Sequence, residues 1–331
     1  MPKLKLGAAI ETWPMIEPFR TAAHILDAVD VLLVSLEKDG RTGLGEAAGV
    51  YYYQDDPVSM LRQVEGLRQT IEAGIDRLSL QSLLPPGGAR NALDCALWDL
   101  EAKLVQRPVW QLAGLEAPQR VLSLVTCGAD APEKMAAAAA AYEGARAIKL
   151  KLTGEPIDTD RVTAVREARP DVWLSVDGNQ GFTYEALARL MPALVDAHVA
   201  LIEQPFQIGQ DALLDRLKSP IPVAADESVQ RLEDIPKLVG RFGVVNIKLD
   251  KSGGLTEALM MARAAHTFGF DTWVGNMFGT SLAMAPAFLV AQLCSMAELD
   301  GPIFLKDDRS VRIQYADGYV ECPEPVWGGS V

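Results

Sequence analysis

Short apolar segments recur from about Val121 onward at a nearly constant interval. The eight segments that read as strands end near Thr126, Lys151, Asp177, Glu203, Asp226, Lys248, Gly275 and Glu298. Successive ends lie 22 to 27 residues apart, which is the length of one strand plus one helix. Eight parallel strands at this spacing predict an α/β fold, a TIM-like (β/α)8 barrel in which a closed cylinder of strands is surrounded by helices.

The first hundred residues follow a different pattern. Residues 29–36 form a β-branched and leucine-rich segment, and residues 42–47 lead away after a Lys-Asp-Gly turn, which predicts a hairpin. Apolar residues at helical spacing then predict helices over 57–73 and 90–105. Strands followed by helices indicate a small α+β unit.

These two patterns predict the domain organisation. We expect an α+β capping domain over residues 1–115 and the barrel over residues 116–305. The C-terminal segment, residues 306–331, is expected to return to the cap and complete it.

Ionisable side chains stand at five consecutive strand ends. They are Lys149, Lys151, Asp177, Glu203, Asp226 and Lys248. Active sites of this architecture lie at the carboxyl ends of the strands, so these groups should meet at one rim of the barrel. Lys251, Asp250 and Glu227, taken singly, are expected to support the site or to lie at the surface.

Three of these residues form a set of oxygen ligands. Asp177, Glu203 and Asp226 come from three adjacent strands. Carboxylates suit a hard cation, and Mg²⁺ accepts a few of them while keeping positions open for substrate and water. The sequence therefore predicts a Mg²⁺ site formed by these three acids.

The lysines have the spacing of an acid/base site. Lys149 and Lys151 are two apart on one strand and share a face, as do Asn246 and Lys248. Two ammonium groups close together lower each other's pKa, which a lysine acting as a base at neutral pH requires.

Charge and composition exclude several function classes. The net charge of −13 disfavours nucleic acid and anionic membranes as partners. No apolar run reaches the roughly 18 residues of a membrane span, and the N-terminus lacks the apolar region of a signal peptide. The four cysteines show no metal-type spacing, so we expect reduced thiols, mostly buried, in a cytoplasmic enzyme that acts on a small molecule.

The strand-end motifs resemble those of the enolase superfamily, in its muconate lactonizing enzyme-like subgroup. The matching pieces are Lys149-Leu-Lys151, Asp177-Gly-Asn179, Ile-Glu203-Gln-Pro, Ala-Asp226-Glu-Ser and Asn246-Ile-Lys248-Leu-Asp-Lys251-Ser-Gly-Gly. The cap matches in Pro18-Phe19-Arg20, Gly43-Leu-Gly-Glu46-Ala and Ala96-Leu-Trp98-Asp99-Leu. The resemblance covers nearly the whole chain.

The resemblance implies a role for each of these residues. Asp177, Glu203 and Asp226 would bind one Mg²⁺ per subunit, and Lys151 and Lys248 would be the acid/base pair on opposite faces of the substrate. Lys149 would hold a substrate carboxylate oxygen. The chemistry implied is proton removal next to a carboxylate, through an enediolate whose charge the metal neutralises. A homo-oligomer is also expected.

The substrate class depends on Glu298 and Asp300 at the eighth strand. They resemble the acid-x-acid motif with which dipeptide epimerases hold the α-ammonium of a dipeptide, and both share one face of the strand. His24 stands where epimerases acting on Ala-Glu carry an arginine. An apolar or aromatic second residue is therefore expected, with Met277 and an aromatic wall of Tyr51, Tyr52 and Tyr53 in contact with the substrate.

Other reactions remain open at this point. N-acyl amino acid racemisation and an o-succinylbenzoate synthase-type elimination would use the same lysines and metal, but their substrates offer no ammonium to Glu298 and Asp300. A barrel that binds a metal and a ligand without turnover is an alternative of another class. Such a protein would have no need for both Lys151 and Lys248.

Overall fold

The computed structural model describes residues 4–20 and 25–330. The cap begins with an antiparallel sheet in which β2 (Ile25–Lys38) lies between β1 (Lys5–Arg20) and β3 (Arg41–Ala47). The predicted hairpin is present, with Asp39 and Gly40 at its turn, both at positive φ. The sequence reading missed β1, whose pairing with β2 is interrupted between Pro14 and Phe19.

Five helices complete the cap: α1 (Pro57–Gly66), α2 (Arg68–Ala73), α3 (Arg77–Leu83), α4 (Gly88–Val105) and α5 (Val109–Leu112). The single helix predicted over 57–73 is therefore two helices, because the helical conformation is interrupted at Leu67. Helix α4 packs closely on β3. A Cβ at Gly43 or Gly45 would collide with the backbone of α4, so glycine at these positions permits the approach.

Eight parallel strands in chain order form the barrel, and each predicted strand end is correct to within one residue. A short strand, β4 (Val121–Leu122), precedes them; they are β5 (Val125–Cys127), β6 (Ala147–Lys151), β7 (Trp173–Asp177), β8 (Val199–Glu203), β9 (Val223–Ala225), β10 (Val244–Lys248), β11 (Asp271–Gly275) and β12 (Met296–Ala297). Ser123 pairs with Ala297, and the N–H of Leu124 donates to the carbonyl of Ala297. This contact closes the barrel.

Helical segments follow seven of the eight strands. They are α6 (Pro132–Ala141), α7 (Asp158–Ala168), α8 (Tyr184–Asp196), α9 (Leu213–Leu217), a 3-10 segment (Leu232–Leu238), α10 (Leu249–Ser252) with α11 (Leu255–Thr267), and α12 (Ser281–Ala291). The predicted barrel is confirmed, with one difference at its end. After β12 the described chain forms a 3-10 turn (Gly301–Phe304) and a hairpin, β13 (Gln314–Ala316) and β14 (Tyr319–Glu321), in place of an eighth helix.

The C-terminal segment contacts both the barrel and the cap. Strand β14 pairs with β4 beside the barrel. The Arg309 guanidinium donates to the buried carboxylate of Glu46 in the cap, at 2.7 Å. Farther on, the indole of Trp327 donates to the carbonyl of Leu44, and the N–H of Gly328 donates to Asp99. The segment therefore joins the cap to the barrel.

Apolar side chains close the interior of the barrel below the rim. They are Leu124, Ala147, Leu201, Ala224 and Trp273. The polar side chains of the strand ends lie above this layer, so they face the cap. No helix in the described ranges has the length and apolar character to cross a membrane. All four cysteines are free; Cys95 and Cys127 are buried, and Cys294 and Cys322 are half-buried.

Candidate active site

Three carboxylates stand together at the carboxyl ends of adjacent barrel strands. Asp177 and Glu203 are the last residues of β7 and β8 and pair directly in the strand register, and Asp226 follows β9. All three are fully buried. Parallel pairing fixes their common height, so the strand ends bring these acids to one place as predicted from sequence.

Two lysines approach this group from opposite sides. Lys151 on β6 places its Nζ 2.5 Å from Asp177 Oδ2, and Lys248 on β10 places its Nζ 2.7 Å from Asp226 Oδ2. Strands β6 and β10 are four places apart in an eight-stranded barrel, so the two lysines face each other across it. Gly275 on the next strand leaves room for Lys248, because a Cβ there would lie 2.9 Å from Lys248 Cε.

Two further lysines lie deeper. Lys149 Nζ contacts Glu203 at 2.9 Å and Glu298 at 2.7 Å, above the ring of Trp273. Lys251 is also buried and donates to Asp226 Oδ1 at 2.6 Å. Of the two outcomes expected for Lys251, support of the site is therefore the one observed. The sequence signal for it is its place three residues after Lys248, one helical turn on.

For Lys149 and Lys248, the structure does not show the expected lowering of the pKa. Burial lowers the pKa of Lys149, but the charges of Glu203, Glu298 and Asp177 outweigh it, and the pKa is raised well above its ordinary value. The pKa of Lys248 is raised for the same reason, chiefly by Asp226. The prediction considered the neighbouring ammonium groups and left out the acids that surround them.

The acids have pKa values that differ with their partners. Burial, reinforced by the charge of Asp177, raises the pKa of Glu203 to about 7. Burial and the charge of Asp226 raise the pKa of Glu227 to about 8. Burial would also raise the pKa of Asp226, but the ammonium groups of Lys248 and Lys251 hold it well below its usual range. The acids therefore differ in how readily each gives up its proton.

The donor set fits a divalent cation in charge and in chemistry. Six buried acids lie beside four buried lysines, so the formal charge is −2 when every acid is ionised; the acids are Asp177, Glu203, Asp226, Glu227, Glu298 and Asp300. Glu227 Oε2, Asn179 Oδ1 and Asn246 Oδ1 are buried acceptors without a hydrogen-bond partner in the described chain. Oxygen acceptors without donors suit a hard cation and its bound water.

In the present side-chain positions, the acids contact lysines and are not arranged around one point as metal ligands. Among the described residues, no three His, Cys, Asp or Glu side chains are already spaced around one point as metal ligands. Asp177 and Asp226 accept from Lys151 and Lys248, and Glu203 accepts from Lys149 and Asn246. Binding of a cation here therefore requires the ammonium groups to release these carboxylates.

Glu298 and Asp300 lie at the point where the barrel closes. Glu298 accepts from Lys149 and from the hydroxyl of Thr126 at 2.9 Å. Asp300 accepts from the N–H of Thr126 at 2.7 Å and from Asn276 at 3.2 Å. Both acids are buried and line the same cavity as Lys151 and Lys248. Thr126 and Asn276 were missed as site residues, because nothing in the sequence places them opposite the acids.

A cavity of about 370 Å³ lies between the rim and the cap. Lys151, Lys248, Asp226, Glu298 and Asp300 form its floor. Its walls are mainly apolar and come from both domains; they include Phe19, Leu26, Ala28, Val29, Tyr51, Tyr52, Met277 and Phe278. The cap therefore encloses the charged group of the barrel in a pocket of the size that takes a small molecule.

Only some of the residues predicted to contact substrate line the cavity. Met277, Tyr51 and Tyr52 line the cavity, whereas Tyr53 does not; its hydroxyl donates to the Glu227 carbonyl at 2.8 Å. Lys149 lies below the cavity and is also absent from its lining. His24 lies outside the described residues.

Two protein families match the chain. The family described as mandelate racemase / muconate lactonizing enzyme, N-terminal domain, matches residues 5–114. The family described as enolase C-terminal domain-like matches residues 133–328. Together they cover most of the chain, and their two regions correspond to the cap and to the barrel.

Two relatives are similar over almost their whole length. L-Ala-D/L-Glu epimerase of Escherichia coli (strain K12) is 39% identical over 310 residues, which cover 93% of this chain and 96% of that protein. N-acetyl-D-glutamate racemase of Pseudoalteromonas sp is 38% identical over 291 residues, covering 87% and 92%.

Two solved structures have the same fold. An enolase family member from Agrobacterium tumefaciens with homology to dipeptide epimerases, solved with sodium and L-Ala-L-Glu, superposes with a TM-score of 0.95 at 37% identity, covering 98% of this chain and 100% of that one. The dipeptide epimerase from Enterococcus faecalis V583, solved with Mg and L-Leu-L-Tyr, gives 0.91 at 27% identity, covering 99% and 98%.

Proposed function

Because the chain belongs to the enolase superfamily, in its mandelate racemase and muconate lactonizing enzyme group, we propose that it is a Mg²⁺-dependent dipeptide epimerase. The observation that carries the proposal is the pair Lys151 and Lys248, which face each other across a cavity whose floor also carries acids. The similar proteins are epimerases and racemases of amino acid derivatives, and the E. faecalis epimerase was solved with Mg and a dipeptide.

The two lysines perform the proton transfer. One takes the proton from the α-carbon of the second residue, and the other returns a proton to the opposite face, which inverts that carbon. Because they stand on strands four places apart, a substrate between them presents one face to each. General acid–base catalysis of this kind requires a group within hydrogen-bond distance on each face.

Asp177, Glu203 and Asp226 are the residues that would hold the Mg²⁺. The bound ion supplies positive charge that stabilises the enediolate formed when the proton leaves. All three acids are buried, and Asp226 lines the cavity, so charges there interact more strongly than in bulk water.

Glu298 and Asp300 hold the free ammonium group of the dipeptide. Both are buried and face the cavity, and two carboxylates two residues apart can accept from one ammonium. Asp300 has no ion pair among the described residues, so a cationic group would be a favourable partner for it.

The cavity walls favour an apolar or aromatic side chain on the second residue. Leu26, Val29 and Phe278 are apolar, and Asp30 and Asp55 add negative charge near them. Among the described lining residues, the two catalytic lysines are the only cations, so a glutamate side chain finds no separate positive partner there. Burying an unpaired carboxylate is costly, whereas an apolar side chain gains by leaving water.

A competition assay tests the substrate. L-Ala-L-Phe, L-Ala-L-Leu, L-Ala-L-Glu and N-acetyl-L-Phe are supplied together at equal concentration with Mg²⁺, and epimer formation is followed by chiral chromatography. The expected order places the Phe and Leu dipeptides first. Preference for L-Ala-L-Glu would overturn the side-chain assignment, and preference for N-acetyl-L-Phe would support the N-acyl amino acid racemase reading instead.

We also propose a cytoplasmic homo-oligomer. The support is the sequence expectation together with four free cysteines, which suit a reducing compartment. Light scattering coupled to gel filtration measures the oligomeric state, and a mass of 35.8 kDa would show a monomer.

A further inference from the structure

The cap segment of residues 48–56, which we call the wall segment, forms one side of the cavity. It follows β3 and includes Ala48, Gly49, Tyr51 and Tyr52, all of which line the cavity. The rings of Tyr51 and Tyr52 pack edge to face at 5.1 Å. The position of this segment therefore decides how much room the substrate side chain has.

The wall segment begins at a contact with a buried carboxylate. Asp250 Oδ1 accepts the N–H of Ala48 at 3.0 Å and the N–H of Gly49 at 2.9 Å. Asp250 is only 6% exposed and has no ion pair in the described part of the chain. Burial raises the pKa of Asp250 to about 7. Because its oxygen is shared by two peptide groups, this carboxylate holds both at once.

The same contact joins the cap to the strand end that carries a catalytic lysine. Asp250 lies two residues after Lys248, in α10. A second contact, from the Tyr53 hydroxyl to the Glu227 carbonyl, joins the wall segment to the residue after Asp226. The segment is therefore fixed to two of the strand ends that form the cavity floor.

The backbone path between these contacts has little freedom to shift. Gly49 has φ of +78°, and a Cβ there would collide with the carbonyl oxygen of Asp55. The N–H groups of Tyr53 and Asp55 both donate to the carbonyl of Val50. A compact turn of this kind moves as a unit, so holding Ala48 and Gly49 sets the position of the tyrosine rings.

We propose that Asp250 is a positioning residue for substrate side-chain recognition. It does not line the cavity; it acts through Ala48 and Gly49, which hold Tyr51 and Tyr52 against the second residue of the dipeptide. The proposal rests on the proposed dipeptide epimerase function. It implies that loss of the contact weakens binding of large side chains much more than it slows turnover.

The test compares Asp250→Ala, Asp250→Asn and a control, Asp76→Ala. Asp76 also accepts a backbone N–H in the cap, from Ser79 at 2.7 Å, but at an exposed helix start that does not line the cavity. Hydrogen–deuterium exchange by mass spectrometry follows residues 44–54, and steady-state kinetics use L-Ala-L-Phe and L-Ala-L-Ala.

Asp250→Ala should raise exchange in residues 44–54 about tenfold and raise KM for L-Ala-L-Phe by about tenfold, with kcat changed less than about twofold. KM for L-Ala-L-Ala should change less than about twofold, because a methyl side chain offers little surface for Tyr51 and Tyr52 to contact. Asp250→Asn keeps an acceptor oxygen and should show smaller changes in the same direction. Asp76→Ala should show neither effect.

Unchanged exchange in both Asp250 variants would overturn the proposal, as would equal increases in KM for the two dipeptides. If Asp250→Ala does not fold, the asparagine variant decides by the same two criteria. If the wild type converts neither dipeptide, the proposed function fails. In that case faster exchange in the variant still supports the role of Asp250 in holding the segment, and unchanged exchange still overturns it.

Discussion

Asp226 shows how single residues set the chemistry of this site. Its carboxylate accepts from Lys248 and from Lys251, and its own position after β9 is fixed by the parallel strands. Removing one member of such a buried group leaves a charge without a partner, which costs far more than the loss of a surface ion pair. For substitutions in the site, the enzyme activity and the folding of the variant should therefore both be measured.

The two lysines should be separable by experiment. Lys151→Ala and Lys248→Ala should each stop epimerisation, because each lysine serves one face of the α-carbon. Each variant should still exchange the α-proton of the stereoisomer that presents it to the remaining lysine. Proton NMR in D₂O measures both reactions for the L,L and L,D substrates.

Lys237→Ala is the matched control, because Lys237 forms an exposed ion pair with Asp234. It should leave both reactions unchanged. Wild-type epimerisation in either active-site variant would show that the lysine concerned is not a base.

Asp300 should discriminate dipeptides from N-acyl substrates. A charge-assisted contact to a buried carboxylate contributes about 1.5–3 kcal/mol. Asp300→Asn should therefore lower kcat/KM for L-Ala-L-Phe by roughly one to two orders of magnitude.

Any activity with N-acetyl-L-Phe should not fall in the Asp300→Asn variant, since that substrate has no ammonium group. Asp271→Asn serves as the control, because Asp271 is exposed at the start of β11, the other end of that strand. An equal loss with both substrates would assign Asp300 to structure and not to ammonium binding.

At the scale of helices and strands, the cap and barrel are joined by the C-terminal segment through Glu46. This buried carboxylate accepts from Thr280 at 2.7 Å and from Arg309, and burial raises its pKa above the ordinary value of 4.5. Arg309→Ala should destabilise the fold by about 2 kcal/mol, because Glu46 loses its only cationic partner among the described residues.

The loss of folding stability in the Arg309→Ala variant should depend on pH. Glu46 is protonated more readily in the folded state than in the unfolded state, so protonation favours folding and this contribution is lost as pH rises through the folded pKa. Removing Arg309 raises the pKa of folded Glu46 further. The difference in the free energy of unfolding between wild type and Arg309→Ala should therefore be smallest near pH 5 and grow toward pH 8. Urea unfolding at the two values measures it. A deficit that does not change with pH would contradict the role given to Glu46.

The strand ends were predictable because they carry a local signal. An apolar strand followed by an ionisable residue recurs at a fixed spacing, and the pairing rules of parallel strands then bring those residues together. β1 was not predictable in this way, because Pro14 and Pro18 interrupt its alternation and its partner β2 decides its conformation. The interruption of the helix at Leu67 and the hairpin in place of the eighth helix likewise depend on packing against other elements.

Contacts between distant parts of the chain limit how much of the site can be predicted from the sequence. Asp177, Glu203 and Asp226 follow from strand order alone, whereas the partners of Asp250 lie about 200 residues away in the cap. The direction taken by Tyr53, toward Glu227 and away from the cavity, depends on a similar contact. Residue type could suggest an aromatic wall there, but only the fold separates Tyr51 and Tyr52 from Tyr53.

The whole molecule is acidic, and the group of side chains where a cation would bind is acidic as well. Its net charge is −13, and the buried group at the barrel rim has a formal charge of −2 when every acid is ionised. Mg²⁺ should therefore stabilise the folded protein. At 100 times the dissociation constant, the gain is about 2.7 kcal/mol, which thermal unfolding detects.

Chelation tests the same dependence through activity. Excess EDTA should abolish epimerisation while circular dichroism shows an intact fold, and added Mg²⁺ should restore the activity. Asp226→Asn should be inactive under both conditions and should show a smaller stabilisation by Mg²⁺. Full activity of wild type in EDTA, or of Asp226→Asn, would contradict the metal assignment.

The central claim is that two facing lysines invert the α-carbon of the second residue of a dipeptide. Early conversion of L-Ala-L-Phe in D₂O with Mg²⁺, followed by proton NMR and mass spectrometry, tests it most directly. Because the returning proton comes from a different lysine than the one that removed it, the first L,D product should carry deuterium at the α-carbon, while the remaining L,L substrate is still largely protiated. Product that retains the original proton, or exchange without any inversion, would contradict the account.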